Sequence, residues 1–247
     1  MPFLKKPSAL NIRKLILYED NHLLAINKPA GLLVQKDITG DTSLLEFAKA
    51  YLKEKYHKPG NVYLGLVHRL DRVTSGIVVL ARTSKAASRL SAALKERRIE
   101  KYYLALVHGI PMEEGKAEDL LRWDEKAKRA LVSSSGKLAV LEWKTLKSWG
   151  SKSLLLIKPS TGRKHQIRAQ LAVRGYPIVG DFKYGSRQRI AAGRGILLHA
   201  WRLFLPHPTK KEIIFLEAPL PGHWPRKFFP TAGEFTTKKF AFPKNLG

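Results

Sequence analysis

The chain has 247 residues, 44% hydrophobic and 26% charged, which is the balance of a globular protein and not of a disordered one. Lys and Arg total 45 against 20 Asp and Glu, a formal charge of +25; such an excess repels itself in the folded state and points to a polyanionic partner, nucleic acid ahead of an anionic membrane surface. The absence of cysteine excludes disulfides, zinc–thiolate sites and thiol nucleophiles, and no apolar run approaches the roughly 18 residues of a membrane span.

Taken in chain order, strands are predicted near Lys14 to Tyr18 and through Leu23 to Asn27, joined by a turn at Glu19-Asp20-Asn21. After the Lys28-Pro29-Ala30-Gly31 break, Ser43 or Thr42 caps a helix running to about Lys53. Short apolar runs, Leu64 to Val67 and Ile77 to Ala81, read as buried strands. A helix is expected from about Ser84 to Lys95, with Ala87, Leu90, Ala93 and Leu94 on one side, then a strand over Tyr102 to Val107. The acidic-basic stretch from Met112 to Lys128 reads as an irregular surface excursion. Strands return at Lys137 to Leu146 and Leu154 to Lys158. A helix then runs roughly from Lys164 to Arg174, stopped by Gly175, and the final strands are Ile196 to Leu205 and Glu212 to Leu216.

Many strands with a few helices and no regular alternation predict an α+β fold, with a mixed, mostly antiparallel β-sheet core and flanking helices. The expected division is an extension over 1–13, one domain over 14–221 and a basic aromatic tail over 222–247. That tail carries Arg226, Lys227, Phe228, Phe229, Lys238, Lys239, Phe240 and Phe242. It serves either as a nucleic-acid-contacting arm or as a segment packed on the sheet. The N-terminus has neither a continuous apolar stretch nor a small-residue cleavage site, so secretion is not expected and a cytoplasmic location is.

The segment His68-Arg69-Leu70-Asp71-Arg72-Val73-Thr74-Ser75-Gly76 carries the most chemistry. It places Asp71 on a turn between two core strands, where a rigid scaffold presents one carboxylate to a cleft. Arginines on both sides offer it charge partners. A positioned carboxylate of this kind is a nucleophile or a general base, although most Asp residues beside Arg are solvated surface pairs. Further on, Thr161 or Ser160 is expected to cap the helix that opens at Thr161-Gly162-Arg163-Lys164-His165-Gln166-Ile167-Arg168. His165 and Arg168 are three apart and share a face; Ile167 and Leu171 share another. A buried Arg needs a carboxylate, and its planar fork suits bidentate pairing, with Asp71 the expected partner. A merely phosphate-binding or solvated basic helix start has the same spacing. In Lys101-Tyr102-Tyr103-Leu104-Ala105-Leu106-Val107-His108-Gly109, strand alternation puts the two tyrosine rings on opposite faces.

His68 to Gly76 resembles the signature of the RluA-like RNA pseudouridine synthases. Thr161 to Arg168, followed by Gly175-Tyr176-Pro177-Ile178-Val179-Gly180-Asp181 and Tyr184-Gly185, is similar to the family's third motif, and Lys101 to Gly109 resembles its middle motif. Leu197-Leu198-His199-Ala200 and Glu217-Ala218-Pro219-Leu220-Pro221 match its C-terminal pattern, so the likeness runs from about Lys14 to Pro221. Gln170 stands where many relatives carry His; both donate a hydrogen bond.

The resemblance implies a pseudouridine synthase fold with a central catalytic cleft, no metal and no cofactor, acting as a monomer on ribosomal or transfer RNA. It implies Asp71 as the catalytic carboxylate, Arg168 as its partner and Tyr103 at the target base. Arg69 would help occupy the space that the base vacates. His68, Arg72, Arg163 and His165 are expected beside the substrate, and Asp181 as a structural turn residue. Two courses stay open for the carboxylate: trapping positive character at C1′, as in retaining glycosidases, or abstracting a sugar proton on a glycal route. Many relatives bear an N-terminal S4-like RNA-binding domain; here the catalytic core begins almost at once, so recognition is expected to fall to the catalytic domain. The rival from another class is a non-catalytic RNA-binding or RNA-folding protein on the same fold. A glycoside or phosphoester hydrolase ranks behind it, because no second carboxylate or metal set is evident.

Overall fold

Two runs with hardly a polar residue, Leu23 to Asn27 and Ile77 to Ala81, become strands that water reaches on neither face. A computed structural model describes residues 10–229. In it β1 (Ile16–Glu19) pairs antiparallel with β2 (Leu23–Lys28), and β2 with β4 (Ser75–Ala81). Strand alternation sends Leu24, Ile26, Val78 and Leu80 to one face, where Leu44, Ala48, Tyr51 and Leu52 of α1 (Leu44–Lys55) cover them. Leu23, Ala25, Ile77 and Val79 face the other way, onto Ala86 and Leu90 of α2 (Ser84–Lys95). Each leucine, isoleucine or valine of these faces withdrawn from water contributes roughly 1.5–3 kcal/mol. Both helices start where a hydroxyl caps them. Ser43 forms a reciprocal capping box with Glu46, and Thr83 accepts the Ala86 N–H.

The second half of the sheet is built on β5 (Glu100–His108). Beyond it follow β9 (Lys152–Pro159), β8 (Lys137–Trp149), β6 (Glu114–Asp124) and β7 (Arg129–Val132), all antiparallel. One face of this half, Ala105, Val107, Leu155 and Ile157, is covered by Ile167 and Leu171 of α3 (Gln166–Val173). The opposite face, with Tyr102, Leu104, Leu106 and Leu154, is covered by Trp224 and Phe228.

The halves meet at one narrow seam. β10 (Leu198–Pro206) is antiparallel to β5 and, further along, to β11 (Ile213–Glu217). To β4 it is parallel, and only through His199–Ser75 and Ala200–Gly76. The far end of β4 pairs instead with the short β3 (Gly65–Leu66). Beyond these two residue pairs the strands part company. The seam lies four residues after Asp71, so the Asp71 loop sits where the halves diverge. At the seam the Ser75 hydroxyl meets His199 Nδ1 at 2.8 Å, and His199 Nε2 meets the Ala218 carbonyl at 3.1 Å. This buried Ser–His pair ties three chain segments together.

Several expectations are corrected. Residues Ile12–Leu15 form a turn of 3-10 helix, so the first strand starts two residues later than Lys14. The supposed irregular excursion contains an 11-residue strand, β6. Its inward set is Gly115, Ala117, Asp119, Leu121 and Trp123, of which only Ala117 and Leu121 are buried, so the alternation carries too little hydrophobic contrast to read. The strand expected at Leu64 to Val67 shrinks to two residues. The last helix begins at Gln166, and neither Thr161 nor Ser160 caps it. His165 holds the cap position with a left-handed backbone (φ 55°), while the Thr161 hydroxyl bonds the Gln166 side chain at 2.7 Å. Ile12, at one end, and Trp224 and Phe228, at the other, belong to the core. Lys238, Lys239, Phe240 and Phe242 lie outside the described residues.

Candidate active site

The loop that carries Asp71 is anchored on both sides. Leu70 is buried in the cluster under α1, and Val73 packs against the cluster under α3, so the carboxylate between them spans the divergence of the sheet. The backbone is pinned as well. The Arg72 carbonyl accepts the Gly31 N–H at 2.8 Å and Lys28 Nζ at 3.2 Å, and the Val73 carbonyl accepts the Ile196 N–H at 3.1 Å.

Arg168, 4% exposed on α3, reaches Asp71 from the facing wall with Nη1 to Oδ2 at 2.9 Å. The bidentate partner is a different residue. Asp181, also buried, accepts Nε at 2.6 Å and Nη2 at 2.9 Å. The expected fork on Asp71 is therefore a single bond, and the residue read as a turn former holds the fork. Asp181 reaches it from the Ile178–Asp181 turn just after α3. Burial opposes the guanidinium charge, but the two carboxylates outweigh it and raise the Arg168 pKa above its ordinary value.

His165 stands beside them, with Nε2 3.8 Å from Asp71 Oδ2 and Nδ1 3.0 Å from the Tyr184 hydroxyl. That hydroxyl also accepts the Ala130 N–H at 2.7 Å and lies 3.4 Å from the Ala130 carbonyl. Burial holds the imidazole pKa down to about 4 despite the nearby Asp71. The ring is therefore neutral beside Asp71. Edge-on contacts with Trp123 and Tyr184 fix its plane.

Tyr103 projects from β5 on the face opposite Tyr102, and packs against the clusters under both α1 and α3. Burial, and then the Asp71 charge, push its phenol pKa well above the ordinary value, so it presents a protonated hydroxyl. Lys28 is a residue the sequence reading passed over. It is fully buried, and Nζ donates to the carbonyls of Pro29 (3.0 Å), Leu32 (2.8 Å) and Arg72 (3.2 Å). Burial lowers its pKa to about 7, against the attraction of Asp71 and with the repulsion of Arg72. Its signal was present in Asn27-Lys28-Pro29-Ala30-Gly31: a lysine closing an otherwise apolar strand. Tyr184 was likewise visible only as part of Tyr184-Gly185.

The other expected site residues fall differently. Arg72 turns away from Asp71, with Nε on the Gly31 carbonyl at 3.0 Å and Nη2 on Asp41 at 2.6 Å. The charge partner of Asp71 is thus remote in sequence, and the neighbouring arginines do not supply it. His68 turns to the scaffold, where Nε2 accepts the Val79 N–H at 3.1 Å; burial and Lys101 hold its pKa down at about 3. Arg163 is exposed and donates Nε to the Leu138 carbonyl at 2.9 Å. Arg69 is exposed and makes no hydrogen bond or ion pair among the described residues. Gln170 donates to Asp119 (2.7 Å) and to the Ala139 carbonyl (3.0 Å), bracing α3 on β6 and β8.

A family model for RNA pseudouridylate synthases matches residues 22–173, from β2 to the end of α3. The chain belongs to this family. Curated relatives agree. The ribosomal large subunit pseudouridine synthase C of Buchnera aphidicola is 36% identical over 220 residues, which are 85% of this chain and 68% of that protein. Its Escherichia coli namesake is 35% identical over 232 residues, 89% of this chain and 70% of that one. The ribosomal large subunit pseudouridine synthase D of Neisseria meningitidis is 35% identical over 234 residues, 90% and 61%. Among solved structures, human RNA pseudouridylate synthase domain containing 4 superposes with a TM-score of 0.71 at 27% identity, covering 85% of this chain and 90% of its own. The RluA-like resemblance read from the motifs is borne out, and with it the enzyme class and the α+β fold with a mixed, mostly antiparallel sheet. The protein is an RNA pseudouridine synthase. Among the described residues no helix is long and apolar enough to cross a membrane.

Proposed function

We propose that this synthase isomerises uridine in large-subunit ribosomal RNA, with Asp71 as the group acting at the ribose. The reaction breaks the N1–C1′ bond, turns the uracil and joins C5 to C1′, and the proton lost from C5 is balanced by one gained at N1. It is redox-neutral. The observation that carries the reading is the Asp71 carboxylate, held by one N–H of a buried Arg168 at 2.9 Å and close enough for its charge to act on Tyr103. Arg168 occupies part of Oδ2 alone, and Oδ1 is left for the sugar. There it traps positive character at C1′ or removes the 2′ proton.

Tyr103 holds the uracil. The base must leave its stack to reach the loop, at a cost of a few kcal/mol, and an aromatic platform returns roughly 1–3 kcal/mol of that by stacking. Exposed Arg69 contacts the RNA at the mouth of the cleft. Ribosomal RNA is favoured as the substrate by the names of the relatives, which match most of this chain. The formal charge of +25 supports a phosphate-rich partner. Its catalytic core reaches from Ile12 to Phe228, both buried in the clusters that cover the sheet.

The test is pseudouridine formation by the purified protein on unmodified large-subunit ribosomal RNA and on transfer RNA transcripts, read by chromatography of nuclease digests. Product on the ribosomal transcript from wild type, and none from Asp71→Asn, is expected. Product on transfer RNA alone, or undiminished product from Asp71→Asn, would overturn the substrate or the residue assignment respectively.

A further inference from the structure

Lys101 is a cation beside Gly162 and His68 with no carboxylate partner among the described residues. It lies on β5 two residues before Tyr103, so alternation puts both side chains on the α3 face of the sheet. Its Nζ stands 3.9 Å from the point where a Cβ on Gly162 would sit, and its charge is felt by the His68 ring. The ammonium is therefore bracketed by the two segments that frame Asp71, the loop from His68 and the approach to α3. No carboxylate answers it among the described residues. The adjacent Glu100 is engaged by Lys158 at 3.0 Å and by the Tyr102 hydroxyl at 2.6 Å. Burial alone depresses the Lys101 pKa, with no opposing anion.

A half-buried, unpaired ammonium is unfavourable for the free protein. It becomes favourable when an anion arrives, and the anions of an RNA strand are its phosphates. We propose that Lys101 is a phosphate-binding residue that holds a backbone linkage of the strand beside the uridine entering the cleft. This rests on the RNA-modifying reading above. It adds a second anchor to the strand: the base on Tyr103 and a phosphate on Lys101, two positions apart on one rigid strand. Gly162 belongs to the same small site. A Cβ at that position would meet no other atom within 4 Å, so a side chain there has room to reach Lys101.

The experiment uses the shortest ribosomal RNA fragment that the wild-type protein converts. Binding is measured against salt for wild type, Lys101→Met, Lys101→Arg and Gly162→Asp, with single methylphosphonate linkages scanned around the target uridine. Lys101→Met is expected to bind several-fold more weakly, to lower the log–log salt slope by about 0.7, and to melt no lower than wild type. Lys101→Arg should keep the slope. Gly162→Asp supplies the missing anion in place of phosphate and should weaken binding like Lys101→Met. One neutral linkage near the uridine should weaken wild-type binding and erase the difference between wild type and Lys101→Met. The proposal is overturned if no single linkage does so, or if Lys101→Met keeps both affinity and slope. The linkage scan on wild type stands even if a variant fails to fold. If wild type converts no ribosomal RNA fragment, the underlying reading fails; if it converts one and the scan shows no such linkage, the Lys101 proposal alone fails.

Discussion

Arg168 and Asp181 meet fork to fork, Nε to Oδ2 at 2.6 Å and Nη2 to Oδ1 at 2.9 Å, which leaves only Nη1 for Asp71. The guanidinium is thereby locked in plane before it touches the proposed catalytic carboxylate. Asp181→Asn withdraws half of that lock and frees Arg168 to rotate both η nitrogens onto Asp71. Single-turnover rate on a minimal RNA should fall at least tenfold, while RNA affinity stays within a factor of about two, since a lost orientation costs rate and not binding. A parallel loss of affinity and rate would contradict this.

Removing the shared cation has a larger effect. Arg168→Ala strands two carboxylates, one of them fully buried, and should cost about 3–5 kcal/mol of stability in urea unfolding. Arg168→Lys should recover little, because a point charge cannot bridge both partners in the way a planar fork does.

Asp71→Asn keeps the size of the side chain and its capacity to accept from Arg168, so folding and RNA affinity should persist. Isomerisation should drop by more than about 10³ if the anionic oxygen acts at the ribose. Chromatography of digested RNA after prolonged incubation measures it, and a rate within tenfold of wild type would remove Asp71 from the mechanism.

Lys28 gives a pH signature. Its pKa is about 7 in the folded chain, well below that of an exposed lysine, so between pH 7 and about 10.4 the unfolded chain binds the extra proton. Stability from this site therefore rises with pH across that window, and below pH 7 the cost of the buried charge is fully present. Lys28→Met, measured by thermal melting from pH 6 to 10, should lose this rise, so wild type gains on the variant as pH increases. A constant difference across the range would mean that Lys28 titrates normally.

Gly76 tests the seam. Its φ is +113°, and a Cβ there would lie 2.2 Å from the Ala200 carbonyl oxygen, on the strand it pairs with. Gly76→Ala should cost roughly 2–4 kcal/mol through forced separation of β4 and β10. Gly40→Ala, also at positive φ (+73°) but with nothing within 4 Å, should cost only about 1 kcal/mol of backbone strain.

The sequence alone determined whatever depends on local pattern. The apolar run after Asp71 had to be a strand, because no polar residue interrupts it. A helix opening at Ser43 or Thr42 was legible, and Ser43 is the residue that caps it, because its hydroxyl satisfies an N–H of the first turn. Alternation alone separated Tyr103 from Tyr102. The RluA-like family followed from the ordered motifs, which need no coordinates. Patterns that hide their contrast were lost: β6 turns a glycine and an aspartate inward among its few apolar residues. The Arg168–Asp71 pair was expected from the motifs, but how the cation is shared was decided only by the tertiary structure. Arg69 and Arg72 flank Asp71 in sequence, yet the cation on Asp71 is Arg168, 97 residues away, and Asp181 takes the larger share of it. Strand geometry is the physical reason. Neighbours on an extended turn point to different sides, so a carboxylate at the seam of two half-sheets meets the helix packed across from it, and which residue waits there depends on how the halves join.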